Sequence, residues 1–165
     1  MYNRAVCPIF DEDGKTVIGL TGRSVYDKCE KCSNYHDKTS GCDYNNSSIK
    51  WWNIGSFKSS HLYNYWNAKK HINKTKVALI VEGQGDVWKL VESGIHNCVG
   101  IFGVSLSDEQ QFLLEKAGTM GVIPLFDNPK TDKAGEIAYK QFTEKCGSIF
   151  RIYTIKDIYG DTKDV

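Results

Sequence analysis

Three carboxylate residues follow closely after apolar runs of the sequence. Glu82 and Asp86 follow the run 77–81, and Asp127 follows the run 121–126. Apolar runs of this length next to glycine predict buried strands of a parallel sheet. Because ligands bind at the carboxyl ends of such strands, we expect the three carboxylates at one edge of one sheet. Carboxylates without a histidine among them favour a hard cation such as Mg²⁺ or Mn²⁺.

The elements that position these residues follow from apolar periodicity and turn residues. A hairpin is predicted from strands 6–10 and 16–20, turning at Gly14. Further strands are predicted at 77–81, 98–102, 121–126 and 149–155, and helices at 59–71, 86–93, 108–117 and 133–146. Ser59 or Ser60 is the expected N-cap of the first helix, and Ser107 that of the third.

The alternation of strands and helices predicts an α/β fold with a parallel sheet flanked by helices. A small mixed α+β subdomain at 1–73 is expected to precede it, with the α/β domain at 74–165. The chain has 165 residues, of which 41% are hydrophobic and 25% charged, as in globular proteins. It has no apolar run of the ~20 residues that cross a bilayer. We therefore predict a cytoplasmic protein without a membrane partner.

Positive charge is concentrated in one aromatic segment. Residues 44–76 contain no acid, and Lys50 and Lys58 lie there near Trp51 and Trp52. Basic groups interleaved with aromatic rings are typical of nucleic-acid surfaces, where cations meet phosphates and rings stack on bases. A solvated helix face over an aromatic core explains the pattern equally well.

A compact group of soft and borderline metal ligands precedes this segment. Cys29, Cys32, His36 and Cys42 fall within 14 residues that contain few apolar side chains. Their types and spacing predict a tetrahedral zinc knuckle, whose metal would supply the folding energy that the loop lacks. The alternative is a loop of unliganded thiols.

The motifs also resemble a known family. Residues 81–86 are similar to the E-G-x-x-D signature of the Toprim domain, and residues 125–127 to the start of its D-x-D signature. Other segments resemble, in order, blocks of the catalytic core of bacterial- and phage-type DNA primases: residues 7–10 with 17–23, 50–53, 57–63, 94–99 and 103–106. The resemblance runs through nearly the whole chain.

This resemblance implies metal-dependent synthesis of RNA primers on single-stranded DNA from ribonucleoside triphosphates. It implies Glu82, Asp86, Asp127 and Asp132 as catalytic residues, and magnesium ligands at Glu82, Asp127, Asp132 and Asp164. Arg23, Lys50 and Lys58 match positions of a basic groove for template or triphosphate. A replicative helicase is the further partner implied, contacted through regions outside these residues. The family's usual zinc ribbon and helicase-binding region do not fit here, so we expect a core fragment or a minimal phage version. A phage-encoded protein would act in the host cytoplasm.

The second signature departs from the family pattern. Four residues separate Asp127 from Asp132, and Pro129 among them prevents a smooth strand. Either the intervening residues loop out and Asp132 returns to the metal, or the second ligand is lost. Two rival functions therefore stay open: phosphodiester cleavage by a Toprim nuclease or topoisomerase, and a nucleic-acid-binding module without catalysis.

Overall fold

The computed structural model describes residues 3–25, 29, 32, 42, 49–126 and 133–155. They form two compact units, one from residues 1–9 and 17–56 and one from residues 10–16 and 57–165. These packing units do not coincide with the predicted domains 1–73 and 74–165, and that division of the chain stays a prediction.

The first unit is built on a three-stranded sheet. Its strands are β1 (Arg4–Phe10), β2 (Val17–Ser24) and β3 (Trp51–Ile54), in the order β1-β2-β3. Strand β2 runs four residues beyond the predicted end of the hairpin, and β3 was not predicted. The two are antiparallel, with Arg23 opposite Trp51 and Gly22 opposite Trp52. The partner that lengthens β2 lies 27 residues further along the chain, so local patterns did not reveal it.

The second unit is a parallel sheet between helices, which confirms the predicted fold class. In chain order it comprises α1 (Tyr65–Thr75), β4 (Val77–Val81), α2 (Gln84–Glu92), β5 (Cys98–Gly100), α3 (Asp108–Lys116), β6 (Gly121–Leu125), α4 (Lys133–Cys146) and β7 (Arg151–Ile152). The strand order is β5-β4-β6-β7, and every pairing is parallel. None of the helices in the described ranges is long and apolar enough to cross a membrane.

Alternating side chains of β4 serve two hydrophobic cores. Ala78 and Ile80 pack with residues of α1, α3 and α4, whereas Leu79 and Val81 pack with Val87 of α2. All but Leu79 are at most 1% exposed. A central strand covered on both faces must be apolar at every position, which explains the uninterrupted run.

The predicted start of the first helix was wrong, although the helix itself is present. The first helix begins at Tyr65, not near Ser59, because residues 57–60 form a turn in which Ser60 N and His61 N donate to Phe57 O. Tyr63 then forms an antiparallel bridge with Gly100 at the edge of the sheet. The N-cap is Asn64, in the left-handed conformation at φ 67°. Its side chain donates to Cys98 O at 3.0 Å, so the helix start is set by a tertiary contact.

Two predicted strands are shorter than expected. Strand β5 ends at Gly100, and Phe102 has a φ of 59°, which extended backbone does not allow. Strand β7 covers only Arg151–Ile152. Tyr153 N donates to Val122 O, so Val122 turns its backbone polar groups toward β7. Pro124, two residues on, faces the same way without an N–H and cannot continue the pairing.

The remaining helix predictions agree closely with the structure. The helix 133–146 has the predicted bounds, and Ser107 is the N-cap of α3 as predicted. Helix α2 begins two residues earlier than expected, directly after Gly83. Gly14, in the hairpin turn, has a φ of 67°.

Candidate catalytic site

Glu82 lies at the carboxyl end of the central strand β4. It directly follows Val81, which is fully buried, and is itself half-buried. Gly83 is the N-cap of α2, and Asp86 lies in the first helical turn, where the helix dipole favours a carboxylate. A Cβ added at Gly83 would lie 3.9 Å from Asp86 Oδ2, so the Asp86 carboxylate turns back toward the Glu82–Gly83 turn. The Asp86 carboxylate therefore lies beside the turn that follows Glu82.

The order of the strands changes direction at this edge of the sheet. The connection through α2 runs from β4 to β5 over one face of the sheet, whereas α3 and α4 cover the other face. The strand order thus reverses between β4 and β6, and open α/β sheets bind ligands at such a point. Val81 pairs with Leu125, so Glu82 and Phe126 follow at the same level.

The other predicted acids are not located by the structure. Asp127 is the next residue after Phe126, but Asp127, Asp132 and Asp164 all lie outside the described residues. Strands β4 and β6 are neighbours in the sheet, as expected. It stays a prediction that the carboxylates of Glu82, Asp127 and Asp132 lie at one site.

The backbone at the end of β5 lies close to the Glu82–Gly83 turn. A Cβ at Gly100 would lie 3.3 Å from both Gly83 O and Tyr63 Cβ, tighter than ordinary side-chain contacts. Ile101 N donates to Val81 O at 3.0 Å just before Glu82. The end of β5 can approach the turn this closely because residue 100 is glycine and has no side chain.

Lys58 lies in a turn that a buried glutamine holds in place. The Lys58 side chain is exposed, while its carbonyl accepts a 2.8 Å bond from Gln110 Nε2. The same nitrogen contacts His61 O at 2.8 Å and Ile101 O at 3.1 Å. Gln110 is 1% exposed, and sequence reasoning missed it. The signal was present, because Ser107-x-x-Gln110 has the spacing of a capping box.

Both halves of that capping box are formed. Gln110 N donates to Ser107 Oγ at 3.0 Å, and Ser107 N donates to Gln110 Oε1 at 3.1 Å. The Ser107 hydroxyl also donates to Ser59 O. The start of α3 and the turn that carries Lys58 are thus tied together by the same two side chains.

The tip of the N-terminal hairpin, residues 10–16, belongs to the second unit and packs on its helices. Phe10 contacts the ring of Trp66 edge-on at 5.9 Å between ring centroids, and Lys69 Nζ donates to Glu12 O. Lys116 pairs with the Glu12 carboxylate at 2.6 Å. The turn itself is closed by Asp13, whose carboxylate accepts bonds from Lys15 N and from the amide and hydroxyl of Thr16. These bonds lower the pKa of Asp13 to about 2, those from Thr16 contributing most.

The basic residues of the first unit are ordered by aromatic rings. The Arg23 guanidinium lies over Trp51 at 5.5 Å from the ring centroid, and Arg4 lies over Trp52 at 5.6 Å. Trp52 is 46% exposed, whereas Phe57 is buried, so the aromatic segment is partly core and partly surface. The aromatic-core interpretation therefore holds for Phe57, and the nucleic-acid surface stays a prediction.

Three of the four predicted zinc ligands lie together in the structure. The sulfur atoms of Cys29, Cys32 and Cys42 are all within 4.8 Å of one another. His36 lies outside the described residues. Cys98 and Cys146 are buried in the second unit, where burial raises the pKa of each thiol to about 11.

Comparison with known proteins agrees with this fold. Residues 76–155, which span the sheet from β4 to β7, match the Toprim domain family. The chain carries the Toprim domain of a DNA primase-like catalytic core. It is 34% identical to the DNA primase of Aquifex aeolicus over 138 residues and 33% identical to that of Helicobacter pylori over 139 residues. These matches cover 83% and 84% of this chain, but only 24% and 21% of the relatives.

Solved structures bear out the primase-like fold. The Toprim-containing chain superposes on the zinc-binding and RNA polymerase domains of the Aquifex aeolicus primase with a TM-score of 0.69 at 29% identity, covering 93% of this chain and 34% of that one. On the E. coli primase catalytic core the TM-score is 0.69 at 26% identity, covering 98% and 47%. A DnaG primase catalytic domain bound to single-stranded DNA matches at a TM-score of 0.61 and 28% identity, covering 84% and 37%.

Proposed function

We propose that this chain is a primase-type nucleotidyltransferase core that joins ribonucleotides on a single-stranded DNA template. The observation that carries the proposal is Glu82 at the reversal point between β4 and β6, in a chain similar to DNA primases. The single-stranded DNA in the related catalytic-domain structure supports the choice of template. A replicative helicase is the proposed partner, and the cytoplasm, of the host if the protein is phage-encoded, is the proposed location.

The proposed metal is magnesium, or manganese in its place. Glu82, Asp127, Asp132 and Asp164 are the proposed ligands, and carboxylate oxygens are the donors that these hard cations prefer. The bound cation would stabilise the charge that develops on the attacking and leaving oxygens. Asp86 would hold the Glu82–Gly83 turn and its carboxylate in position.

The cationic residues are proposed to bind phosphate. Lys58 would contact the incoming triphosphate from a turn fixed by Gln110, since its charged group is exposed while its backbone is held. Arg23 and Lys50 would contact the template strand, because they flank the β2–β3 loop and Arg23 is held over Trp51. Zinc is the second proposed metal, bound in that loop.

The decisive experiment is template-dependent incorporation of labelled ribonucleotides with magnesium or manganese. Glu82→Gln keeps the size of the side chain and removes its charge, so we expect at least ~100-fold less product, as when a transition-state contact is removed. Glu92→Gln is the matched control, because the same change is made at an exposed position at the far end of α2. The control is expected to retain full activity.

Other outcomes would favour the rival functions. Shortened template, lost in Glu82→Gln, would point to a Toprim nuclease instead. DNA binding without synthesis or cleavage by either form, and unaffected by magnesium, would point to a binding module. Equal synthesis by Glu82→Gln and Glu92→Gln would refute the proposed carboxylate site.

A further inference from the structure

The three clustered thiols of the first unit have the spacing of metal ligands. Cys29 Sγ lies 3.9 Å from Cys42 Sγ, and Cys32 Sγ completes a group within 4.8 Å. With Zn–S bonds of about 2.3 Å, the edge of a tetrahedral thiolate site is about 3.8 Å. A disulfide would bring two sulfurs to about 2.05 Å, and all six cysteines are thiols.

The surrounding segment cannot bury these cysteines by hydrophobic packing of its own. Residues 26–48 contain no alanine, valine, isoleucine, leucine, methionine, phenylalanine or tryptophan. Cys29 is nevertheless only 7% exposed. A loop with so little apolar surface is ordered when metal binding supplies the free energy. Thiolate donors select zinc over magnesium or calcium, which prefer oxygen.

The base of the loop is fastened by the protein itself. Ser24 N donates to Lys50 O at 3.0 Å, and the Arg4 guanidinium donates to Gly22 O at 3.0 Å and Ile49 O at 2.9 Å. The chain thus leaves β2 and re-enters β3 through a closed base, while the sequence between them contains few apolar residues. A metal bound within it would complete the ordering.

We propose that Cys29, Cys32 and Cys42 bind one structural zinc ion that orders the β2–β3 loop. Structural zinc sites are four-coordinate, and His36 is the fourth ligand expected from the sequence. The proposal does not depend on catalysis by the Toprim carboxylates. It can therefore fail or succeed separately from the proposed primase function.

The test is the metal content of the reduced, folded chain, measured by mass spectrometry of the elements. We expect about one zinc per chain, and a cobalt-substituted form with the intense visible absorption of tetrahedral thiolate coordination. Cys29→Ser and Cys42→Ser should lose the metal. Cys7→Ser, outside the cluster, and Glu82→Gln should keep it. His36→Ala should weaken zinc binding by about 10-fold or more if His36 is a ligand.

A second measurement covers the case in which a cysteine variant fails to fold. Chelation of zinc from the wild-type chain should speed tryptic cleavage after Lys28, Lys31 or Lys38, and added zinc should reverse the effect. The proposal is overturned if the reduced, folded chain binds no zinc, or if chelation leaves cleavage in this loop unchanged. A Cys29–Cys42 disulfide in the purified chain, with no zinc uptake after reduction, would overturn it as well.

Discussion

Replacing Gln110 with leucine should destabilise the second unit far more than the same change at its neighbour. Leucine has a similar volume but can neither donate to the carbonyls of Lys58, His61 and Ile101 nor accept from Ser107 N. At position 111 the half-buried side chain makes a solvent-exposed bond to Glu115 on α3. Gln111→Leu is therefore a matched control.

The magnitude follows from the number of bonds. The two hydrogens of Gln110 Nε2 serve three carbonyls, so at most two strong donor bonds exist at once, besides the one accepted from Ser107 N. Leaving three partly or fully buried polar groups without this partner costs about 1 kcal/mol each, and greater apolar burial of leucine offsets about 1 kcal/mol. We expect Gln110→Leu to lower the free energy of unfolding by about 2 kcal/mol, and Gln111→Leu by less than about 0.5 kcal/mol.

Two assays check this prediction. Chemical denaturation gives the free energy of unfolding, and hydrogen exchange reports the turn, where His61 N donates to Phe57 O. Exchange at His61 should become faster in Gln110→Leu and stay unchanged in Gln111→Leu. If both variants are equally stable and exchange equally, the glutamine does not hold the turn and the reasoning is wrong. If Lys58 binds triphosphate, Gln110→Leu should also raise KM for nucleotides.

Gly100→Ala should destabilise the chain by about 1–3 kcal/mol, because its methyl group would press on Gly83 O and Tyr63 Cβ at 3.3 Å. Gly103→Ala, which meets nothing within 4 Å, should be near neutral, and equal denaturation midpoints for the two variants would contradict the reasoning. Protonation of Asp13 should follow a pKa of about 2, lowered from 3.8, so its contribution to stability is complete above about pH 4 and disappears as the pH falls through 2. NMR titration of the hairpin amides checks this, and a midpoint near 3.8 would rule out the carboxylate bonds. Cys98 and Cys146, with thiol pKa values of about 11, should be only about 0.1% thiolate at pH 8 and resist alkylation in the folded chain, which mass spectrometry measures; rapid labelling of either thiol would show that it is accessible and ionised.

Local sequence correctly predicted those helices and strands whose capping residues and apolar periodicity lie within the element itself. Ser107 as a cap, the bounds of the helix at 133–146 and the buried strand 77–81 all follow from capping chemistry or periodicity over a few residues. The helix start at Asn64 and the early end of β5 do not, because they depend on contacts between Asn64 and Cys98 and on the positive φ of Phe102. Local propensity carries no information about such distant partners.

The candidate site divides in the same way. The sequence by itself determined which residues can do chemistry. Carboxylates that follow apolar runs, and cysteines a few positions apart, can be identified from residue type and spacing alone. Only the tertiary structure decided that β6 lies beside β4, that Gly100 lets β5 approach the turn after Glu82, and that Gln110 holds the turn of Lys58. Strand order and close packing arise when segments far apart in the chain bury their apolar faces together, so no single segment encodes them.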